Sequence, residues 1–378
     1  MSTPQARRES EHITGEGRRL FSVEPWCVTE EELHLDDDLA STESVFALSN
    51  GHIGLRGNLD EGDPHGLPGT YLNSVYELRP LPYAEAGYGY PQSGQSVINV
   101  TNGKLIRLLV DDEPFDIRYG TLDSHERVLD LRAGTLSRQV QWTSPAHDTI
   151  RISSVRLVSL RQRAVAAIAY EVEPLGDGPL RIVLQSELVA NEELPPQSKD
   201  PRAAAALEHP LESEEHTAHG THALLVHRTR RSKLRVAAGM DHIVEGPDQS
   251  STEIMSSPDV CRLTTATVLR PGERLRIVKF LAYGWSSQRT RPALHDQVVA
   301  ALAGARLSGW DGLLAEQRAY LDEFWAGADV EIDGDAEIQQ AVRFGLFHIL
   351  QAGVRAEQRP IPAKGLTGPG YDGPTFWD

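Results

Sequence analysis

Several groups of residues have the types and spacing that chemistry needs. The segment from Arg359 to Asp378 carries Pro360, Pro362, Pro369 and Pro374 with Gly365, Gly368, Gly370 and Gly373, which exclude a helix. It nevertheless closes on Phe376-Trp377-Asp378. A polar loop that ends in aromatics is a segment of the kind that lines sites. Gly51, Gly54 and Gly57, in Ser-Asn-Gly-His-Ile-Gly-Leu-Arg-Gly-Asn, invite a phosphate-loop reading. No Gly-Lys-Ser/Thr follows and no helix clearly starts there, so both nucleotide fingerprints fail. Tight turns and close backbone approach between strands are the favoured explanation. The stretch with Tyr83, Tyr88 and Tyr90 could stack on sugar faces or pack on the rim of a sandwich, and residue types leave both open.

Other groups carry less. His216, His219 and His222 fall at spacings of three, which invites a metal reading. Gly220 weakens a helix there and no carboxylate stands at a telling offset, so Asn191 to His222 is expected to be a solvated surface excursion holding no metal. Asp36-Asp37-Asp38 reads as a solvated face, and neither a Gly-x-Ser-x-Gly elbow nor a reactive-cysteine motif is present.

The elements that must position these residues change character once along the chain. From Phe21 to about Trp285 the pattern is β. Thr135 to Thr143 places Leu136, Val140 and Trp142 on one face, and Thr149 to Leu160 places Ile150 and Ile152 there before a slip to Val155 and Leu157. Val165 to Val172, Leu180 to Leu188, Lys233 to Ala238 and Leu275 to Tyr283 are further β-branched runs, separated by turns such as Arg270-Pro271-Gly272-Glu273. Many short strands with little helix between them imply a large antiparallel β-sandwich. After Trp285 the period becomes 3.6. Pro292 to Leu307 carries Leu294, Val298, Leu302 and Ala305 on one stripe, Ser308 is placed to cap a second helix, and a third starts near Asp335. The expected division is a disordered tail at 1–20, a β-sandwich domain at 21–285, a helical linker at 286–328 and a helical region from 329 to 378.

Composition excludes several classes. The chain has 378 residues, 40% hydrophobic and 24% charged, enough for a substantial core. Its 37 Lys and Arg against 54 Asp and Glu give a net charge of -17, which argues against nucleic acid or an anionic membrane as partner. Cys27 and Cys261 stand far apart in no metal or redox spacing. The first 19 residues lack the apolar core of a signal peptide, and no run approaches the roughly 18 apolar residues of a membrane span. A soluble, cytoplasmic protein is expected.

Two motifs together carry a resemblance. The run from Phe46 through Asn50-Gly51-His52-Ile53-Gly54-Leu55-Arg56-Gly57 to Asn58, followed by Gly69-Thr70-Tyr71-Leu72-Asn73, resembles the N-terminal signature of glycoside hydrolase family 65. So does Arg359-Pro360-Ile361-Pro362-Ala363-Lys364-Gly365-Leu366, continuing through Gly370-Tyr371-Asp372-Gly373 to Phe376-Trp377-Asp378. Pro374 departs from the family, where histidine is common. The resemblance spans about Phe21 to the last residue, in the right order and with the right β-to-α switch.

The resemblance implies a mainly β fold: a large sandwich, a helical linker and the start of an (α/α)6 barrel. It implies an inverting phosphorylase of α-glucosides such as maltose, trehalose or kojibiose, or a related hydrolase. Inversion needs one carboxylic acid for the leaving oxygen and a nucleophile on the opposite face. In a phosphorylase that nucleophile is inorganic phosphate, a co-substrate in place of any cofactor, and the product is β-glucose 1-phosphate. The resemblance makes Trp377 and Asp378 the holders of the glucosyl unit, with Phe376 and Lys364 as weaker neighbours; Lys364 reads equally as a surface lysine. The family's general acid glutamate and phosphate pocket lie beyond Phe-Trp-Asp, so no catalytic residue is assigned here and a truncated chain, inactive alone, is expected. The complete protein would take a disaccharide and phosphate as a homodimer. A non-enzymatic sandwich that binds carbohydrate or serves as a scaffold is the competing class.

Overall fold

The computed structural model describes residues 21–33, 35, 39–80, 93–193, 207, 209–368 and 375–376. The stretches at 1–20, at Asp36 to Asp38 and from Tyr83 to Tyr90 lie outside them. Among the described residues, one antiparallel sheet of ten strands runs in the spatial order Ser22–Glu24, Cys27–Glu30, Thr121–Asp130, Thr135–Thr143, Thr149–Val158, Val165–Pro174, Leu275–Ser286, Arg235–Glu245, His222–Thr229 and Leu211–His219. A second, of five strands, runs Ser251–Ser256, Val260–Leu269, Leu180–Val189, Ile106–Val110 and Glu113–Pro114. Alternation explains the pairing. Ile150, Ile152, Ile168 and Tyr170 from the large sheet meet Ile182, Leu184 and Leu263 from the small one in a single buried core.

The outer face of the large sheet is covered as well. Helix α1 (Leu39–Val45) is short, whereas α2 (Arg291–Ala328) lies across the sheet and buries Leu294, Val298, Leu302 and Leu313 against Val165, Ala167, Val278 and Phe280. This is why Val165 to Tyr170 is buried without interruption, with alanine on the helix side. Gly239 and Gly284 let the helix approach: a Cβ at Gly239 would come within 2.8 Å of Leu302. By composition an 18-residue window of α2 is apolar enough to cross a bilayer, yet its buried stripe is packed on the sheet. The two helices expected on either side of Ser308 meet at a kink within α2, at Gly309, whose φ of 69° is non-helical. Helix α3 (Ala336–Gly353) starts where expected, with the Asp335 side chain accepting from the Glu337 and Ile338 amides.

Three expectations are corrected. First, Asn191 to His222 is not all surface loop. Leu211–His219 is the edge strand of the large sheet, pairing in a hairpin with His222–Thr229. Glu, His and Thr on both faces of an exposed edge erase the alternation, and a register shift between Ser213 and Glu215 disturbs it further. His216 and His219, three apart on a strand, therefore point to opposite faces. Second, helix α1 interrupts the β region, burying Thr42 and Glu43. Third, Thr149–Val158 does not slip. Its register to Thr135–Thr143 is continuous, from Thr143 opposite Thr149 to Thr135 opposite Leu157. Ile150 and Ile152 face the inner core, Leu157 faces α2, and the inner positions at 154 and 156 are polar.

Candidate functional site

Those polar inner positions begin the construction of the site. Directly opposed residues Glu30, Arg127, Arg138, Ser154 and Tyr170 form a row across the inner face of the large sheet, all buried. Two arginines side by side would repel each other, so each has its own carboxylate. Arg127 Nε donates to Glu30 at 2.9 Å. Arg138 grips Glu61 through two bonds of 2.8 and 2.7 Å, and the Tyr170 hydroxyl donates to the same carboxylate at 2.5 Å. Asp60 accepts from Ser154 at 2.6 Å and from Arg156 at 2.5 Å. Burial would raise the Asp60 pKa, but Arg156 and Arg138 outweigh it and hold the carboxyl below its ordinary value.

The row fixes the glycine motif laid over it. Arg127 Nη1 donates to the Gly57 carbonyl at 2.6 Å, and Arg156 donates to the carbonyls of Arg56 at 3.0 Å and Asn58 at 3.1 Å. Within the motif, Asn50 Oδ1 accepts the amides of His52 and Ile53, both at 2.9 Å, which closes the turn at Gly51.

The motif in turn is a seat for the C-terminal loop. A Cβ on Gly54 would lie 2.4 Å from both Cβ and carbonyl oxygen of Leu366, and one on Gly51 would lie 2.9 Å from the Ala352 carbonyl. The Arg355 amide donates to the Asn50 carbonyl at 2.7 Å, and Asn73 Nδ2 donates to the carbonyls of Gly51 and Pro360 at 2.9 and 3.2 Å. Leu366 is buried with Tyr71 and Val97. Arg359 stacks on Trp285, its guanidinium 4.9 Å from the ring centre. Close backbone approach, expected of these glycines between strands, is realised at Gly51 and Gly54 against a segment some 300 positions away, and at Gly57 against Phe46.

The residues expected at the site stand as follows. Ile361–Pro362 pairs with Thr375–Phe376, so the backbone of Phe376 returns alongside Ile361. Lys364 is exposed, and its carbonyl accepts from the Thr367 amide at 2.9 Å and hydroxyl at 2.8 Å. Trp377 and Asp378, with 369–374, lie outside the described residues. Sequence reasoning passed over Arg56, Asn73 and the polar row. Arg138 had a signal: it stands on the same face as Leu136, Val140 and Trp142, where a charged residue implies a buried partner.

Known proteins match this arrangement. The family model "Glycosyl hydrolase family 65, N-terminal domain" matches residues 28–324, and the model of that family's central catalytic domain matches 343–378. An uncharacterized glycosyl hydrolase of Mycobacterium tuberculosis is 63% identical over 358 residues, which cover 95% of this chain and 45% of the relative. The alpha,alpha-trehalose phosphorylase of Thermoanaerobacter brockii is 32% identical, covering 95% and 47%. A solved structure of a putative kojibiose phosphorylase from human microbiome superposes with a TM-score of 0.83 at 23% identity, over 95% of this chain and 46% of the other, and shares the fold. The chain spans about half the length of the curated relatives it matches. A sandwich whose glycine motif seats a Pro/Gly loop, matched over most of its length by the N-terminal domain model and then by the start of the catalytic one, belongs to glycosyl hydrolase family 65.

Proposed function

We propose that this chain is the N-terminal part of an inverting α-glucoside phosphorylase, which converts a disaccharide and inorganic phosphate to β-glucose 1-phosphate and the second sugar. The observation that carries the reading is the seat: a buried charged row and a glycine motif hold the main chain that leads into Phe376-Trp377-Asp378. Trp377 would offer an apolar face to the glucosyl ring and Asp378 would accept from its hydroxyls, with Phe376 and Lys364 as neighbours. Relatives named as trehalose, maltose and kojibiose phosphorylases support the reaction class. In that reaction a glutamic acid protonates the glycosidic oxygen while a phosphate oxygen bonds to C1 from the opposite face. On this reading the acid and the phosphate pocket are supplied by residues other than these 378, which alone are catalytically silent. Cytoplasmic location, a homodimeric complete protein and the absence of a bound cofactor complete the reading.

A hydrolytic reaction is the second reading, favoured by the name glycosyl hydrolase carried by the 63% identical relative. Incubation of the purified chain with trehalose, maltose or kojibiose, with and without phosphate, is expected to release nothing. Phosphate-dependent glucose 1-phosphate would show that the acid lies within these residues, and free glucose independent of phosphate would favour hydrolysis. Saturation-transfer NMR with glucose addresses the subsite. Contact abolished by Trp377→Ala and Asp378→Asn supports it, whereas contact that survives both points to a carbohydrate-binding sandwich instead.

A further inference from the structure

The polar row and the glycine motif laid over it enclose a small cavity between them. Its sheet side carries Arg138, directly opposite Ser154 on the next strand, and Arg156 two residues further along. Its motif side carries Asn58 and Asp60, and all five of these residues are buried. The cavity comes from a mismatch of size. Arg138 and Arg156 reach up to Glu61 and to the motif carbonyls, whereas Ser154 beside them ends at Oγ, bonded to Asp60 at 2.6 Å. The space left is about 10 Å³, about the room that one water molecule requires.

Three polar atoms of these residues meet no partner among the described residues: Nε of Arg138, Nε of Arg156 and Oδ1 of Asn58. The other polar atoms of the same side chains are committed. Arg138 gives both terminal nitrogens to Glu61, and Arg156 gives its own to the carbonyls of Arg56 and Asn58 and to Asp60. Asn58 Nδ2 donates to the Leu67 carbonyl at 2.9 Å, so Oδ1 is the free end of the amide. A planar guanidinium held at both tips cannot turn its Nε elsewhere, and a buried donor or acceptor without a partner costs free energy. Two donors and one acceptor around a cavity of this size therefore call for a ligand that both accepts and donates.

We propose that the cavity is a binding site for a single water molecule, which accepts from Arg138 Nε and Arg156 Nε and donates to Asn58 Oδ1. Asp60, on the same wall, offers an acceptor for its second hydrogen. The donor set decides against an ion. A halide would suit the guanidinium N–H groups but would face Asn58 Oδ1 and a carboxylate. A cation would suit those oxygens and be repelled by the arginines. Neither ion is needed for charge, because Glu61 pairs with Arg138 at 2.7 Å and Asp60 with Arg156 at 2.5 Å. The bound water brings the Asn58 side chain into the link between sheet and motif, beside the direct bonds of Arg156.

Nuclear Overhauser spectra of the full chain in water test the site through the two Nε–H groups. Each is expected to show a cross-peak to water whose sign reverses between laboratory-frame and rotating-frame experiments, as for water that tumbles with the protein. Proton exchange gives the same sign in both and is told apart that way. Asn58→Leu removes the acceptor and fills the space, and is expected to abolish both cross-peaks. Cross-peaks that survive in a folded Asn58→Leu, or that are missing from the parent protein, overturn the site. A high-resolution crystal structure grown with bromide decides the ligand without any variant. One water within about 3.2 Å of all three atoms supports the proposal. Anomalous bromide signal in the cavity, or no density there, overturns it.

Discussion

Glu61 answers two buried groups at once, and that makes it the most exposed point of the polar row to mutation. Its carboxylate takes both arms of Arg138 and the Tyr170 hydroxyl, and burial together with Glu61 raises the Tyr170 pKa well above its ordinary value. Removing the carboxylate leaves the phenol without its acceptor and the guanidinium with only Asp60, 3.9 Å away, and breaking a buried pair costs about 3–5 kcal/mol. Glu61→Ala is therefore expected to lower the urea unfolding free energy by about that much. Arg151→Ala, on the exposed rim with Glu173, is expected to stay within about 1 kcal/mol of the parent. Equal losses for the two would remove the row as the support of the motif.

Helix α3 buries Phe347 among polar side chains. Gln339, Gln340, Arg343 and Gln351 are buried, while Ile338 is 51% and Ile349 71% exposed. The inward polar side chains serve main-chain groups of other segments. Gln340 Nε2 donates to the carbonyls of Ser22 at 2.9 Å and Cys27 at 2.6 Å, and the Ser49 amide donates to Gln351 Oε1 at 2.6 Å. Arg343 pairs with Asp329 through two 2.8 Å bonds and stacks 3.7 Å over Trp26. Gln340→Leu should therefore destabilise by about 1–3 kcal/mol although it adds apolar surface. Ile349→Lys should change stability by no more than about 0.5 kcal/mol. The opposite ranking would mean the helix is turned the other way. This element also marks the limit of what residues disclose by themselves. The period of 3.6 placed the helix and Asp335 its start, but period alone gives a stripe and not the direction it faces. The strands were legible because Pro-Gly and Asp-Gly turns bound them and alternation runs through them. Arg138 and Ser154 were hidden because period-two reading follows apolar residues and treats a polar residue on their face as a slip, where the chain instead runs straight and supplies a partner from a distant loop. The seat was half legible: glycines signalled close approach, and only the fold could say to what.

At the scale of the whole molecule, the same burial sets how stability depends on pH. His52, His125 and His242 are pushed down to about 3, by burial first and then by Arg163, Arg138 and Lys279 respectively, and burial brings His348 to about 4. Unfolded, each returns to 6.5, so between that value and 3 to 4 the unfolded chain binds more protons than the folded one. Stability therefore falls as pH drops below 6.5, by up to about 1.4 kcal/mol per pH unit for each histidine. Lys104 and Lys279 act in the same direction at higher pH. Burial lowers both to about 7 from 10.5, so their penalty is complete below 7 and is relieved as pH rises toward 10.5. The thiols oppose this at the alkaline end. Cys27 is raised to about 11 and Cys261 to about 12, mainly by burial, from 9.0. Above 9 the unfolded chain loses those protons first, which offsets the gain from the lysines. Between about 9 and 10.5 two lysines and two thiols act with opposite signs, so the signs place a plateau from about pH 9, above the usual range near neutrality. Urea midpoints measured from pH 4 to 10 should climb steeply to 6.5, rise more gently to about 9 and then level off. A maximum at or below pH 6 would mean that these histidines are not held neutral in the folded protein.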